Sequence, residues 1–362
     1  MPEGNNHRKR NIVRIKDIAQ KAGVSTGTVD RALHDRGRVS EKVKEKILRI
    51  ARELEYEPNM LARALVSKRE YNIAAMIPDP SLDEYWEAPL KGVEKAEKDL
   101  RQYGVIVTQH IFNQFNVESF KAAAEKVLES PYDGILIAPV FYRESLAYLN
   151  KWKREGIPFN MFNTYIPDYE PIVYIGQDSY QSGVLAAKLL HYGHPGPATF
   201  MVVHIDEDVP NSSHLIKKEQ GFKDYFDQRT NNEFRIITAD LKASADKAFF
   251  SGQLDKLLGD NPETAGIFVT NSKAFTIAAF LEQRNQKNIR LVGYDLLQKN
   301  LAYLEKGVIS FLINQNPKKQ GYFGIQLLID HLIFKKKVGP IKYLPLDIIT
   351  RENLDYYIES DL

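Results

Sequence analysis

The sequence predicts a two-part protein, with a small all-α helix-turn-helix head followed by a large α/β body. The first observation is charge: residues 1–69 carry 17 Lys and Arg against 9 Asp and Glu, a net of +8, whereas the remaining 293 residues carry 32 against 38, a net of −6. The second is the hydrophobic pattern, which changes near residue 70 from helical spacing to alternating strands and helices. The third is a glycine turn between two short helical patterns in the head.

Length and composition are those of a globular protein. The 362 residues are 43% hydrophobic and 27% charged, which suffices for two or more domains with sizeable cores. The absence of cysteine excludes disulfides, a thiolate nucleophile and a cysteine zinc site. No apolar run approaches the ~20 residues of a membrane helix, and the polar N-terminal stretch is unlike a signal peptide, so we expect a cytoplasmic protein without membrane contact.

The head is predicted to contain three helices. Apolar residues recur at helical spacing between Ile15 and Ala22. Gly23 then ends this helix, because glycine readily takes the left-handed conformation, and Ser25 can cap the next helix. Ser40 can cap a third. The second helix is predicted to expose Thr26, Gly27, Thr28, Asp30 and Arg31.

This arrangement favours a nucleic-acid-binding head. In a helix-turn-helix the second helix enters the major groove of DNA, and the basic surplus of the head provides the matching charge. Two alternatives remain open on these residues alone. The basic surface is simply solvated, or the helical hairpin serves as a protein interface.

A short segment follows the third helix. Pro58 ends that helix, because the residue before a proline disfavours the helical conformation. Asn59 can cap residues 60–67, in which Ala62 and Leu65 are spaced as on one helix face. By itself the segment reads as a linker, since a helix of about eight residues is too short to be stable alone.

The body is predicted to be α/β with parallel sheets, because strand patterns alternate with helical patterns. Ten candidate strands are many for one open sheet, so we expect two similar halves. The strands are predicted at Asn72–Ile77, Gly104–Gln109, Asp133–Ala138, Pro158–Phe162, Ile172–Ile175, Thr199–Val203, Phe234–Ile237, Gly266–Val269, Ile289–Val292 and Ser310–Ile313. Helices are predicted at Ala88–Arg101, Val117–Leu128, Ser179–Leu190 and Lys318–Phe334.

The head and the following segment resemble the lactose-repressor (LacI/GalR) family of bacterial transcription regulators. The resemblance is carried by the run from Ile15 through Arg31 and by Arg38-Val39-Ser40, Tyr56-Glu57-Pro58-Asn59 and Ala62-Arg63-Ala64-Leu65. It implies a head at 1–58, a hinge segment at 59–70 and a two-lobed effector-binding and dimerisation domain at 71–362.

The resemblance also implies roles on double-stranded operator DNA. Thr26, Gly27 and Arg31 stand where the family reads bases, and Ser25 and Thr28 stand near phosphates. In the hinge segment, Asn59, Ala62 and Leu65 are implied to lie in the minor groove, where the leucine wedges between base pairs.

Two positions depart from the family pattern. Gly27 has no side chain with which to read a base edge, and Asp30 replaces the usual serine. Arg31 is therefore the best candidate for a bidentate contact with guanine.

The body resembles the periplasmic-binding-protein-like type I effector domain that follows the head in this family. This implies two Rossmann-like lobes that close on a small molecule. We expect lobe one at about 71–171 and 298–322, and lobe two at about 172–297 with the C-terminal tail. The matching stretches are Gly176–Leu189, Gln220-Gly221-Phe222, Ile267–Asn271, Val292–Asp295, Gln315–Gly321 and the closing strand Pro345–Thr350.

Ligands of such folds bind at the carboxyl ends of the strands. The candidates at predicted strand ends are Asp79, Asn163, Asp178, Asn271, Asp295 and Gln315. Acids and amides suit a hydroxylated ligand, and Tyr85 with Trp86 could stack on a sugar ring, although such a pair also serves as ordinary packing. Lys218 favours an anion or an acidic sugar if it is not simply exposed. We therefore expect an effector that is a sugar or a sugar acid.

Enzymatic functions find little support in the sequence. It contains no phosphate loop, no Gly-x-Ser-x-Gly elbow and no Gly-x-Gly-x-x-Gly after a strand. His191 and His194 have a spacing that could chelate a metal, but no carboxylate partner is evident, so we expect no metal and no cofactor. A transport solute-binding protein would lack the head. We expect a homodimeric, effector-controlled regulator, for example a repressor.

Overall fold

The computed structural model describes residues 13–33, 37, 39–54, 56, 69–194, 196–208, 211–228 and 233–358. The chain divides into two compact units, residues 1–66 and 67–362. The first is all-α and the second is α/β, which confirms the predicted fold class. Within the described ranges, no helix has the length and apolar character needed to cross a bilayer.

The described residues of the first unit form three helices, α1 (Ile15–Ala22), α2 (Thr26–Leu33) and α3 (Glu41–Glu53). Gly23 takes the left-handed conformation, with φ 71°, and so turns the chain from α1 into α2. Ile18, Val29 and Ile47, one from each helix, are fully buried in a common cluster. The predicted helix-turn-helix is confirmed, with α3 completing its core.

The first lobe of the second unit is a six-stranded parallel sheet with helices packed on it. Its strands are β1 (Tyr71–Pro78), β2 (Val105–Phe112), β3 (Gly134–Ile137), β4 (Phe159–Phe162), β5 (Tyr174–Gly176) and β11 (Ile341–Tyr343), in the order β11-β5-β4-β3-β1-β2. Its helices are α4 (Glu87–Leu100), α5 (Val117–Leu128), α6 (Tyr142–Glu155) and α12 (Pro317–Leu332). The β1 and β3 strands are buried along most of their length, as parallel strands covered on both faces must be.

The second lobe repeats this plan. Its strands are β6 (Ala198–Ile205), β7 (Phe234–Leu241), β8 (Thr264–Val269), β9 (Arg290–Tyr294), β10 (Phe311–Asn314) and β12 (Asp347–Ile349), in the order β12-β10-β9-β8-β6-β7. Only the β10–β12 pair of this sheet is antiparallel among the described pairings. Its helices are α7 (Ser179–His191), α8 (Ser213–Asp227), α9 (Lys247–Gly259), α10 (Ala274–Gln283) and α11 (Gln298–Glu305), and α13 (Asp355–Ile358) follows near the C-terminus.

The chain crosses between the lobes three times, after β5, after β10 and after β11. This corrects the predicted lobe boundaries. The β5 and β11 strands, both expected in lobe two, belong to lobe one, whereas α11 and β10, expected in lobe one, belong to lobe two. All ten predicted strands are present. The error arose because local periodicity identifies a strand but not the sheet that it joins.

Each lobe contains one pair of helices that cross in backbone contact. A Cβ atom on Gly92 of α4 would lie 1.9 Å from the Lys318 carbonyl oxygen of α12. In lobe two, a Cβ on Gly183 of α7 would lie 1.9 Å from the Lys218 carbonyl oxygen of α8. Only glycine permits this approach. The two glycines therefore determine how closely α7 and α12, the helices that follow the first two crossings between the lobes, pack on their neighbours.

Candidate functional site

The exposed face of α2 is held by its own first turn. The Ser25 hydroxyl accepts from the Thr28 backbone N–H at 3.1 Å, which caps the helix as predicted. The Arg31 guanidinium lies 3.5 Å from the Thr28 hydroxyl and is exposed, as are Thr26 and Gly27. A Cβ on Gly27 would meet only the Ser25 hydroxyl, at 3.8 Å. This face is therefore available to a partner. Asn59, Ala62 and Leu65 lie outside the described residues.

The second unit contains a cavity of about 620 Å³ between its two lobes. Its walls follow the carboxyl ends of β1, β2, β3 and β4 on one side and of β6, β7, β8 and β10 on the other. This is the place where open parallel sheets bind ligands. Six predicted residues line the cavity: Tyr85, Trp86, Asn163, Lys218, Asn271 and Gln315.

Three other predicted residues do not line this cavity. The Asp79 carboxylate accepts from the Ser81 backbone N–H at 2.8 Å, and Asp178 caps α7 by accepting from the Gln181 N–H. Asp295 is 1% exposed and lies behind Ser272 and Gln315, which line the cavity. The strand-end rule gave the correct edge, but local turns direct these carboxylates to protein donors.

The lobe-one wall consists of aromatic rings held by polar neighbours. The Trp86 indole N–H donates to the Gln114 side-chain oxygen, and the Gln114 amide donates to Asp83 at 2.9 Å. The Asn163 amide donates to the Tyr85 hydroxyl at 2.8 Å. The two rings meet edge to face, with centroids 4.9 Å apart. The polar atoms of this wall are thus engaged in orienting its rings.

The lobe-two wall carries a buried ammonium group. Lys218 is 2% exposed, and its Nζ donates to the Thr270 carbonyl at 2.8 Å and lies 3.7 Å from the centre of the Tyr294 ring. Burial lowers the pKa of Lys218 to about 8, against the attraction of Asp295 and Glu207. Lys218 is thus buried and lines the cavity, and its role in effector binding stays a prediction.

Asp295 supports this wall from behind. It accepts from the Ser272 hydroxyl at 2.7 Å and from the Gln315 amide at 2.6 Å. Burial raises the pKa of Asp295 to about 6, although these hydrogen bonds and Lys218 act in the opposite direction. Gln315 therefore connects a wall of the cavity to a buried carboxyl group.

Further charges of lobe two face the cavity. Asp206 accepts from Lys273 at 2.8 Å; burial alone would raise the pKa of Asp206, but this bond and those from Ser244 hold it below the ordinary value. Glu207 accepts from Asn271 at 2.9 Å, and burial raises its pKa. Burial lowers the pKa of His214 to about 3, so its imidazole is neutral at pH 7.

Comparison with known proteins identifies the two units. Residues 14–59 match the bacterial regulatory proteins of the lacI family, and residues 73–336 match the periplasmic binding protein domain. A crystal structure of a putative LacI transcriptional regulator from Bacteroides fragilis is 31% identical, with a TM-score of 0.75, and the match covers 80% of this chain and all of that one. The chain belongs to the lacI family.

Two curated relatives extend this result. The ribose operon repressor of Halalkalibacterium halodurans is 24% identical over 93% of this chain and 96% of its own length. The HTH-type transcriptional regulator DegA of Bacillus subtilis is 32% identical, but the match covers 50% of this chain and about half, 52%, of that relative. Like other lacI-family members, this chain is a transcription regulator and not an enzyme.

The cleft of this lacI-family chain is also lined by residues that the sequence analysis did not predict. Gln114 follows β2, Asp206 and Glu207 follow β6, and Lys242 follows β7. The same strand-end rule, applied to these three strands, would have found all four.

The two histidines considered for a metal have protein partners. His191 Nδ1 is 3.0 Å from the Tyr225 hydroxyl, and His194 Nδ1 is 2.8 Å from the Gly196 carbonyl oxygen. Across the described part of this regulator, no group of three or more His, Asp or Glu side chains is arranged to hold a metal ion.

Proposed function

We propose that this regulator binds a neutral sugar between its lobes and that the bound sugar controls operator binding. The observation that carries the proposal is the pairing of an aromatic wall with a polar wall. Sugar rings offer apolar C–H faces to aromatic rings and hydroxyls to carboxylates and amides, and the cleft provides both in one cavity of about 620 Å³. The name of the ribose operon repressor relative supports a sugar-related role.

The charge of the lining favours a neutral sugar over a sugar acid. Among the described lining residues, five carboxylates face three lysines, and the imidazole of His214 adds no charge at pH 7. A ligand carboxylate would enter a site that already has an excess of negative charge. The carboxylates are Asp83, Asp206, Glu207, Asp208 and Asp240, and the lysines are Lys218, Lys242 and Lys273.

The head is proposed to read the operator through α2. Arg31 contacts guanine, Thr26 and Gly27 lie against the bases, and Ser25 and Thr28 lie at the phosphates. Two chains bind as a homodimer on a pseudo-palindromic site, with Asn59, Ala62 and Leu65 of each hinge segment in the minor groove. The sugar shifts the population of lobe arrangements and thereby changes operator affinity, which requires it to bind one arrangement better than the other.

A thermal-shift screen of the full-length chain tests the ligand assignment. Each neutral sugar is paired with its own acid, for example glucose with glucuronate and galactose with galacturonate. We expect one neutral sugar to raise the melting temperature by several degrees at saturating concentration, and its acid to have little effect. Stabilisation by acids alone, or by no sugar in a broad panel, contradicts the proposal.

The DNA assignment is tested by Arg31→Ala. An operator is obtained by in vitro selection with the full-length chain, and affinity is measured for this duplex and for a scrambled one at one salt concentration. We expect affinity for the selected duplex to fall about tenfold or more, with a much smaller loss on the scrambled duplex. Equal losses on both would show that Arg31 contacts only the backbone. Lys44→Ala, on α3, serves as a charge-matched control.

A further inference from the structure

One helix of lobe one begins without a capping side chain of its own. The residue before α6 is Phe141, whose apolar side chain cannot accept a hydrogen bond, and it lines the cleft. By contrast, α5 in the same lobe is capped by Asn116, which accepts from the backbone N–H groups of Glu118 and Ser119 at 2.9 and 3.2 Å. The first N–H groups of a helix require such partners.

The missing cap comes from the other lobe. Asn211 precedes α8 in lobe two, and its Oδ1 accepts from the Arg143 backbone N–H of α6 at 3.1 Å. Its Nδ2 donates to the Glu144 carboxylate of the same helix at 3.2 Å. Asn211 is 7% exposed and lines the cleft. One side chain of lobe two therefore satisfies both a donor and an acceptor in the first turn of a lobe-one helix.

We propose that Asn211 is a latch that helps to hold the cleft closed. Two further contacts join the lobes: the Thr164 hydroxyl lies 3.3 Å from His214 Nδ1, and Lys299 lies 3.9 Å from the Glu84 carboxylate. Opening the lobes breaks both hydrogen bonds of Asn211 together and returns the α6 N-terminus and the amide to water. The latch thus contributes to the fraction of molecules in the closed arrangement. Because only this fraction holds a ligand between both walls, Asn211 is a positioning residue for the effector response, a role that rests on the proposed sugar site.

A distance measurement between the lobes tests the latch without any ligand. Since the chain has no cysteine, Lys98→Cys in α4 of lobe one and Lys247→Cys in α9 of lobe two introduce two spin-label sites, both at exposed positions. Double electron–electron resonance on the full-length protein then gives the interlobe distance distribution. We expect one narrow distribution, and Asn211→Ala should raise the open-to-closed ratio about tenfold, as expected from losing two ordinary hydrogen bonds.

Three further variants make the result specific. Asn116→Ala removes a cap of the same type within lobe one and should lower the melting temperature while leaving the interlobe distance unchanged. Asn211→Asp keeps the acceptor for the Arg143 N–H but places a carboxylate against Glu144, so it should open the lobes. Adding Glu144→Gln to Asn211→Asp restores a donor–acceptor pair and should close them again.

An open wild-type distribution overturns the latch, as does an unchanged distance in Asn211→Ala. Equal opening of the lobes in Asn116→Ala also overturns it. So does a double variant, Asn211→Asp with Glu144→Gln, whose lobes stay open. If Asn211→Ala does not fold, the comparison of Asn211→Asp with this double variant still tests the latch. Failure of the sugar proposal gives a different result. Sugars would then not bind, but the interlobe distance measured without ligand would still change in the Asn211 variants.

Discussion

The two walls of the cleft have different chemistry although their lobes share one plan. In lobe one, Gln114 accepts from the Trp86 indole N–H and donates to Asp83, so these polar groups are engaged within the wall and its aromatic rings line the cavity. In lobe two, Asp206 accepts from Lys273 and Ser244. Glu207 accepts from Asn271, and both carboxylates line the cavity.

We therefore expect the two walls to contribute differently to ligand binding. The lobe-one wall provides a fixed apolar surface, whose contribution comes from contact area. The lobe-two wall provides charge-assisted hydrogen bonds, whose contribution depends on which groups the ligand offers. A ligand that needs both walls is retained only when the lobes are closed.

The largest expected effect is on the aromatic wall. Trp86→Ala removes a ring that is 4% exposed, and we expect sugar affinity measured by calorimetry to fall about 100-fold. Trp86→Phe retains a ring and should lose much less. If alanine and phenylalanine have the same effect, the indole acts through its hydrogen bond to Gln114 and not through its face.

A smaller effect is expected on the charged wall. Glu207→Gln keeps the shape but replaces a charge-assisted acceptor by a neutral one, so affinity for the neutral sugar should fall about tenfold. The same change should reduce the difference in affinity between that sugar and its acid, because it reduces the negative charge of the lining.

Asp260→Asn is the control for this experiment, since it makes the same charge change on an exposed residue of lobe two outside the cavity. If Asp260→Asn reduces the difference in affinity between the neutral sugar and its acid as much as Glu207→Gln does, that difference reflects the overall charge of the protein. The charge of the lobe-two wall then has no separate role.

The smallest effect concerns stability and not binding. Because burial raises the pKa of Asp295 from 3.8 to about 6, the folded state binds more protons than the unfolded state between about pH 4 and 6. The stabilising contribution of the protonated Asp295 carboxyl is therefore full below pH 4 and is lost as the pH rises through 6. We expect the contribution of Asp295 to the free energy of unfolding to fall by on the order of 1 kcal/mol for each pH unit of this window, measured by urea titration as the difference between the wild type and Asp295→Asn.

Asp295→Asn supplies the comparison. Its side chain does not titrate, so its unfolding free energy should lack the fall that Asp295 causes in the wild type across the same window. Parallel pH profiles for the two proteins would show that Asp295 is ionised with an ordinary pKa in the fold.

Sequence reasoning succeeded where function follows from local pattern. The glycine turn at Gly23 and the serine cap at Ser25 are encoded within a few residues, and both are confirmed. The strand-end rule placed Asn163 and Asn271 on opposite walls of one cavity, because parallel strands end at one edge of each sheet.

It failed where contacts join distant parts of the chain. Nothing local assigns β5 to one sheet and β10 to the other, and nothing near Asn211 indicates a helix of the opposite lobe. Asp295 was expected in the cavity because it follows β9, but its carboxylate turns to Ser272 and Gln315, which only the folded structure brings together.

The central claim, that a neutral sugar in the cleft controls operator binding, is tested most directly by titrating the protein–operator complex with the sugar found in the thermal screen. Fluorescence anisotropy of a labelled selected operator reports the affinity at each sugar concentration. We predict a saturable change in operator affinity for the wild type, shifted to about 100-fold higher sugar concentration in Trp86→Ala, with sugar-free operator affinity unchanged. A sugar that binds without altering operator affinity, or a response that Trp86→Ala leaves in place, would contradict the account.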